Sequence, residues 1–127
     1  MNQEYHTFGF ERLEVWKQSI ELVMLVSDIV ELWPPNEKYD LTSQISRASS
    51  SITCNIFEGS GRLTPKDQNK FYTTAYSSAL EVLNCLIISY RKKYTAEEAY
   101  VECRQIISLI TSSLNKMVKS NYSRISK

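Results

Sequence analysis

Helix breakers are rare in this chain, and they cluster. Its 127 residues hold only three glycines and three prolines, and Pro34-Pro35 and Gly59-Ser60-Gly61 account for four of the six. Proline removes an amide donor and clashes with the preceding turn, and glycine loses the most backbone freedom on ordering. The stretches between these points are therefore long and uninterrupted, and the spacing of their apolar residues decides what they become.

Leu13, Trp16, Ile20, Val23, Val26 or Ser27, and Val30 recur at steps of three and four, which predicts a first helix stopped by Pro34-Pro35. Asp40 is placed to cap a second helix through its side-chain oxygen, with Leu41, Ile45, Ala48, Ile52 and Ile56 as the stripe. Gly59 and Gly61 are expected to close it in the left-handed conformation. Thr64 as cap, Pro65 at the first position and Asp67 at the positive end open a third helix. Its stripe is Phe71, Ala75, Ser78 or Ala79, Val82, Leu86 and Tyr90, and it runs to about Tyr94. Thr95-Ala96-Glu97-Glu98 spells a capping box. Cys103, Ile106 or Ile107, Ile110, Leu114, and Met117 or Val118 then line a fourth helix.

Short connections favour antiparallel neighbours, so the expected fold is all-α, an up-down-up-down antiparallel four-helix bundle. A single domain should span residues 1–127. Flexible ends are expected at about 1–9, and at about 121–127 where SNYSRISK reads as a frayed tail. Cys54, Cys85 and Cys103 are odd in number and too far apart for a metal knuckle, so they read as small core residues of a reduced, cytoplasmic protein. MNQEYHTFGFERLEVW lacks a basic region followed by an apolar run, and no stretch of 18 apolar residues occurs.

Arg47, Ser51, Asn55, Glu58 and Arg62 follow one another at steps of four, four, three and four. On a helix they form one line, centred roughly 100° from the apolar stripe and so at the edge of the core. Ser49, Ser50, Ser51 and Thr53 lie in the same segment, where alanine or glutamate would make a better helix. Small side chains allow close helix approach, so the face reads as an interface. Arg47, Asn55, Glu58, Arg62 and, from the third helix, Glu81 are expected to form a structural polar network.

RASSSITCNIFEGSGR, residues 47–62, resembles the RAxxSIxxNIxEGxGR signature of a bacterial four-helix-bundle family. Its members include proteins encoded in intervening sequences of large-subunit ribosomal RNA genes and the accessory variability determinant of diversity-generating retroelements. LEVWKQSIEL, PPNEKYDLTSQISRA and FYTTAYSSALEVLNCL resemble its opening helix, its linker and second-helix start, and its third helix. The likeness runs from Phe10 to Met117. Phe57 stands where the family usually has alanine, Asp40 where it has glycine, and Tyr76-Ser77 where it often has Arg-Gly. The resemblance implies a four-helix bundle, assembly as a homopentameric ring and no catalytic activity; the retroelement relatives bind a reverse transcriptase and RNA.

Catalysis finds little support in the residues. His6 is the only histidine and lies in the leader. Glu58 and Glu81 could pair as carboxylates in a metal-binding bundle, but the Glu-x-x-His motifs of such sites are missing and neither metal nor cofactor is expected. GSGR lacks the Lys-Ser/Thr that completes a phosphate loop. Charge says more. Fifteen basic residues against fourteen acidic argue against strong non-specific affinity for nucleic acid. Their distribution is uneven: five basic to nine acidic up to Thr64, ten to five from Pro65 onward. Arg91, Lys92, Lys93, Arg104, Lys116, Lys119, Arg124 and Lys127 are candidate contacts to RNA or DNA, a belt that a ring would multiply. The same asymmetry suits a head-to-tail interface between copies, with tyrosines at its half-buried edges. A self-associating scaffold or accessory protein, without a membrane role, is the expected function.

Overall fold

A computed structural model of the chain describes residues 4–125. Its helices are α1 (Glu14–Val30), α2 (Leu41–Ser60), α3 (Pro65–Arg91) and α4 (Glu97–Ile125), with short 3-10 turns at Gly9–Arg12 and Pro35–Glu37. Packing runs from α1 to α2 to α3 to α4 and back to α1, so the helices stand at the corners of a square. Cross-links fix their directions. Ser51 meets Ser78 and Gly59 meets Tyr72 between α2 and α3, Asn69 meets Asn121 between α3 and α4, and Trp33 beyond α1 meets Thr95 before α4. Neighbours are antiparallel, and the bundle is up-down-up-down as the breaker pattern implies.

The core follows the stripes of α2, α3 and α4. Leu41, Ile45, Ala48, Ile52 and Ile56 are all buried, as are Ala75, Ser78, Ala79, Val82 and Leu86, and Cys103, Ile106, Ile107, Ile110 and Leu114. Each fully buried Ile or Leu contributes about 1.5–3 kcal/mol relative to exposure. On α3 the buried aromatic is Tyr72, and Phe71 is only half-buried.

On α1 the centre of the face differs from expectation. Val15, Ser19, Leu22, Val26 and Ile29 are buried, while Leu13, Trp16, Ile20, Val23 and Val30 lie half-buried on one flank. This helix is apolar over a wide arc, so periodicity gives its period without giving its middle. Ser19 fits the core because its hydroxyl donates to the Trp16 carbonyl at 2.6 Å. The leader is partly engaged: Phe10 packs edge-on against Trp16 and Phe57, and His6 edge-on against exposed Phe8.

Four boundary details also differ. Asp40 occupies the N-cap position of α2 but makes no cap bond; its carboxylate accepts from Gln44 Nε2 at 2.8 Å. Gly61 ends α2 in a right-handed conformation, and Gly59 is needed for space, since a Cβ there would lie 2.5 Å from Tyr72 Cε1. Lys93, at φ 67, takes the left-handed position after α3. Thr95 caps nothing: its hydroxyl is buried, accepting from Trp33 Nε1 at 2.9 Å and sharing a 2.8 Å bond with Ser89. The cap at Thr64 forms as expected, taking the Asp67 amide at 3.2 Å.

The chain from Ser120 to Ile125 continues α4 as helix, with Asn121 buried, because Asn121 extends the core-facing line by one more turn. Lys127 lies outside the described residues. Cys85 and Cys103 are buried, but Cys54 is exposed, on the solvent side of α2. No helix of the described residues is long and apolar enough to cross a membrane.

Candidate functional site

The polar line of α2 divides into separate parts. Asn55 Nδ2 donates to the Ser51 carbonyl at 2.8 Å and to Ser51 Oγ at 3.0 Å, and Ser51 Oγ meets Ser78 Oγ at 2.8 Å across to α3. This is the side-chain link of the line to α3; at its far end the Arg62 carbonyl also accepts from Gln68 Nε2 at 3.2 Å. Arg47 is exposed, its Nε donating to the Ser43 carbonyl of its own helix at 3.3 Å. Arg62 Nη2 bonds Glu58 at 3.0 Å, both side chains 46% exposed, and the guanidinium lies 4.6 Å over the ring of Phe71.

Glu81 joins none of them. The antiparallel register that sets Ser51 opposite Ser78 and Gly59 opposite Tyr72 puts Glu58 level with the start of α3. Glu81 lies nine residues beyond Tyr72, or ~13 Å along the helix. It is exposed and makes no hydrogen bond or ion pair with a described residue. The expected five-residue network is therefore corrected to an Asn55–Ser51–Ser78 link with a surface ion pair beside it. Glu58 and Glu81 are too far apart to share a metal, and no group of three or more His, Cys, Asp or Glu gathers among the described residues.

Buried thiols do not supply a nucleophile. Burial first, then the charge of Glu102, pushes Cys103 up to about 11; burial and the charges of Glu81 and Asp40 raise Cys85. Both stay protonated at neutral pH, and the thiolate is the reactive form.

The candidate cations are split between the two ends of the bundle. Arg91, Lys92 and Lys93 sit where α3 hands over to α4, and Lys92 Nζ is 3.6 Å from the carboxylate of buried Glu37. Arg104 is tied down along α4: its Nη1 donates to the Tyr100 hydroxyl at 2.8 Å, and Tyr100 stacks on Tyr90 with centroids 4.2 Å apart. Lys116, Lys119 and Arg124 lie at the far end, ~35 Å from Lys93 along α4. A continuous belt on one chain does not form.

That far end gains cations from elsewhere. The antiparallel pairing brings the first turns of α3 beside the last turns of α4, so Lys66 and Lys70 join Lys116, Lys119 and Arg124, with Arg62 entering from the connection between α2 and α3. All six are exposed. Asp67 offsets Lys70 at 3.6 Å and Glu58 offsets Arg62. Lys66 and Lys70 lie some fifty positions before Lys116 and Lys119, and only the helix register connects them.

Between these turns lies a cavity of about 290 Å³ lined by Gln68, Tyr72, Lys116, Met117, Ser120 and Asn121. Asn121 Nδ2 donates to Gln68 Oε1 at 3.1 Å and to Asn69 Oδ1 at 2.9 Å, and Asn121 Oδ1 accepts from Arg124 at 3.2 Å. Asn69 Nδ2 donates to the Val118 carbonyl at 3.2 Å. Sequence reading missed this cluster because asparagine and glutamine pass for surface residues. The available signal was that Asn121 continues the spacing of Ile107, Ile110 and Leu114.

Comparison with curated proteins returns no match. A solved structure described as a protein of unknown function from the S23 ribosomal protein family of Bacteroides thetaiotaomicron superposes with a TM-score of 0.75. It is 23% identical and covers 83% of this chain and 98% of that one, a likeness that bears on the fold. Residues 11–116 match the family model described as 23S rRNA-intervening sequence protein. With the signature at 47–62 inside that match, the chain belongs to the 23S rRNA-intervening sequence protein family.

Proposed function

We propose that the protein is a non-catalytic accessory protein that associates head to tail with copies of itself and presents its basic end to a nucleic acid. A second apolar line on α3 carries the self-association. Tyr76, Leu80, Leu83 and Ile87 follow at steps of four, three and four beside the core face; the first two are exposed and the others half-buried. Leu83 rests against the core, but Tyr76 and Leu80 stay exposed in the monomer, and exposed apolar positions of this kind mark interfaces.

Charge supports the head-to-tail arrangement. The square sets α1–α2, from the acidic half of the sequence, opposite α3–α4, from the basic half. Unlike faces attract copies in a heterologous contact, which closes as a ring when the faces are inclined to one another. Five is the number the family resemblance implies. Light scattering on the purified protein at micromolar concentration tests this: a discrete oligomer is expected for the parent, and Leu80→Glu should reduce it to a monomer of unchanged helicity. A monomeric parent would end the proposal.

A specific observation favours the nucleic-acid partner: six exposed cations converge on one end while Arg91–Lys93 stand apart. Phosphate contacts release counterions, so affinity for an oligonucleotide should fall steeply with salt. Binding that ignores salt would exclude them.

A further inference from the structure

The cavity between the start of α3 and the end of α4 is rich in donors and poor in acceptors. Two carboxamide oxygens line it, and each already accepts a bond: that of Gln68 from Asn121, and that of Asn121 from Arg124. No carboxylate lines it. What remains unused is the Lys116 ammonium, the Ser120 hydroxyl and the hydroxyl of Tyr72. Tyr72 is the unusual one. The residue as a whole is 4% exposed, but its hydroxyl makes no hydrogen bond with any described residue and is not fully enclosed, so it reaches the opening that Tyr72 lines. A phenol left free in this way can donate to a ligand oxygen.

We infer that this cavity is a phosphodiester-binding site, in which the Tyr72 hydroxyl, Ser120 and Lys116 hold one phosphate of a nucleic-acid strand while Lys66, Lys119 and Arg124 meet its neighbours. The site rests on the nucleic-acid reading above and locates it. Burial raises the phenol above its ordinary range, which keeps it a proton donor at neutral pH. Positive charge extends well beyond the cavity mouth, which suits a chain of phosphates better than one isolated anion.

The test uses the full-length protein and a fluorescein-labelled oligouridylate of about twelve nucleotides, followed by anisotropy between about 50 and 150 mM salt. Tyr72→Phe keeps the ring and removes a hydroxyl with no intramolecular bond, so its melting temperature should match the parent. Its affinity should fall about tenfold, the scale of a hydrogen bond to a charged group. Its salt slope should not change, because no charge is lost. Lys116→Ala should weaken binding and lower that slope by about one. Lys92→Ala, at the opposite end, should do neither.

If Tyr72→Phe binds like the parent while Lys66→Ala and Lys119→Ala weaken, the outer lysines hold the strand, the cavity holds only water and the inference falls alone. If the parent does not bind at the lower salt, the inference and the nucleic-acid reading fall together. Inorganic phosphate, compared with chloride at equal ionic strength, separates the two sources of the ligand. Displacement of the oligonucleotide no greater than by chloride supports a polymer site; selective displacement that Tyr72→Phe abolishes would reassign it to a small phosphate.

Discussion

Gly59→Ala is the sharpest probe of how α2 and α3 fit together. Alanine is the better helix former, and by propensity alone the exchange should stabilise by about 1 kcal/mol. The structure reverses the sign. A Cβ at Gly59 would lie 2.5 Å and 2.8 Å from two ring carbons of Tyr72 and 3.2 Å from Phe71 Cβ. Ordinary carbon contacts begin near 3.5 Å, so the ring must retreat by about 1 Å. Tyr72 is buried and cannot swing into solvent, so the adjustment falls on helix spacing. Overpacking of this size costs about 1–3 kcal/mol, leaving a net loss of up to about 2 kcal/mol after the propensity gain. Urea denaturation followed by far-ultraviolet circular dichroism measures it, at one protein concentration because association would add stability. Two companions isolate the cause. Gly61→Ala meets only backbone oxygens at 3.7 Å and 3.9 Å and has φ −88, so it should be neutral or stabilising. In a Tyr72→Ala background Gly59→Ala should lose its penalty. If Gly59→Ala stabilises the parent as Gly61→Ala does, close packing of α2 on α3 at this point is refuted.

Glu58→Ala should change stability by no more than about 0.5 kcal/mol, because an exposed i, i+4 ion pair is screened by water; a loss near 3 kcal/mol in the same urea assay would mean the pair is buried by a partner copy. Thr95→Val removes the acceptor of Trp33 Nε1 and the partner of Ser89, and should cost about 1–3 kcal/mol with a shift in tryptophan emission. The Cys103 thiol has its folded pKa raised from 9.0 to about 11, so its contribution is complete below about pH 9 and is lost as pH rises toward 11. The stability gap between the parent and Cys103→Ala should therefore narrow by about 2 kcal/mol over that interval in urea melts. A constant gap would show that the thiol does not sense its burial.

Local pattern carried the fold far. The line Leu41, Ile45, Ala48, Ile52, Ile56 is buried without exception, because α2 has a narrow apolar face whose centre the spacing defines. On α1 the apolar arc is broad, and Ser19 at its middle disguised the true centre. The site was less legible. Arg91–Lys93 and Lys116–Arg124 are close in sequence terms and belong to one basic half, yet about five turns of α4 separate them in space. Conversely Lys70 and Lys119 are distant in sequence and level with one another in the bundle. Chemistry alone puts Glu81 in the polar network with Arg47, Asn55, Glu58 and Arg62, and the register of α2 against α3 denies it. Such pairings depend on how far antiparallel helices slide past one another, which no local spacing encodes.

The bare flank of α2 at Gly59 does more than admit a ring. The ring of Tyr72 leans there with its edge against the glycine, so the spacing of the two rods and the seat of the ring are one mechanical quantity. A side chain that thickened this flank would therefore shift Tyr72 and, with it, one wall of the opening between the third and fourth rods.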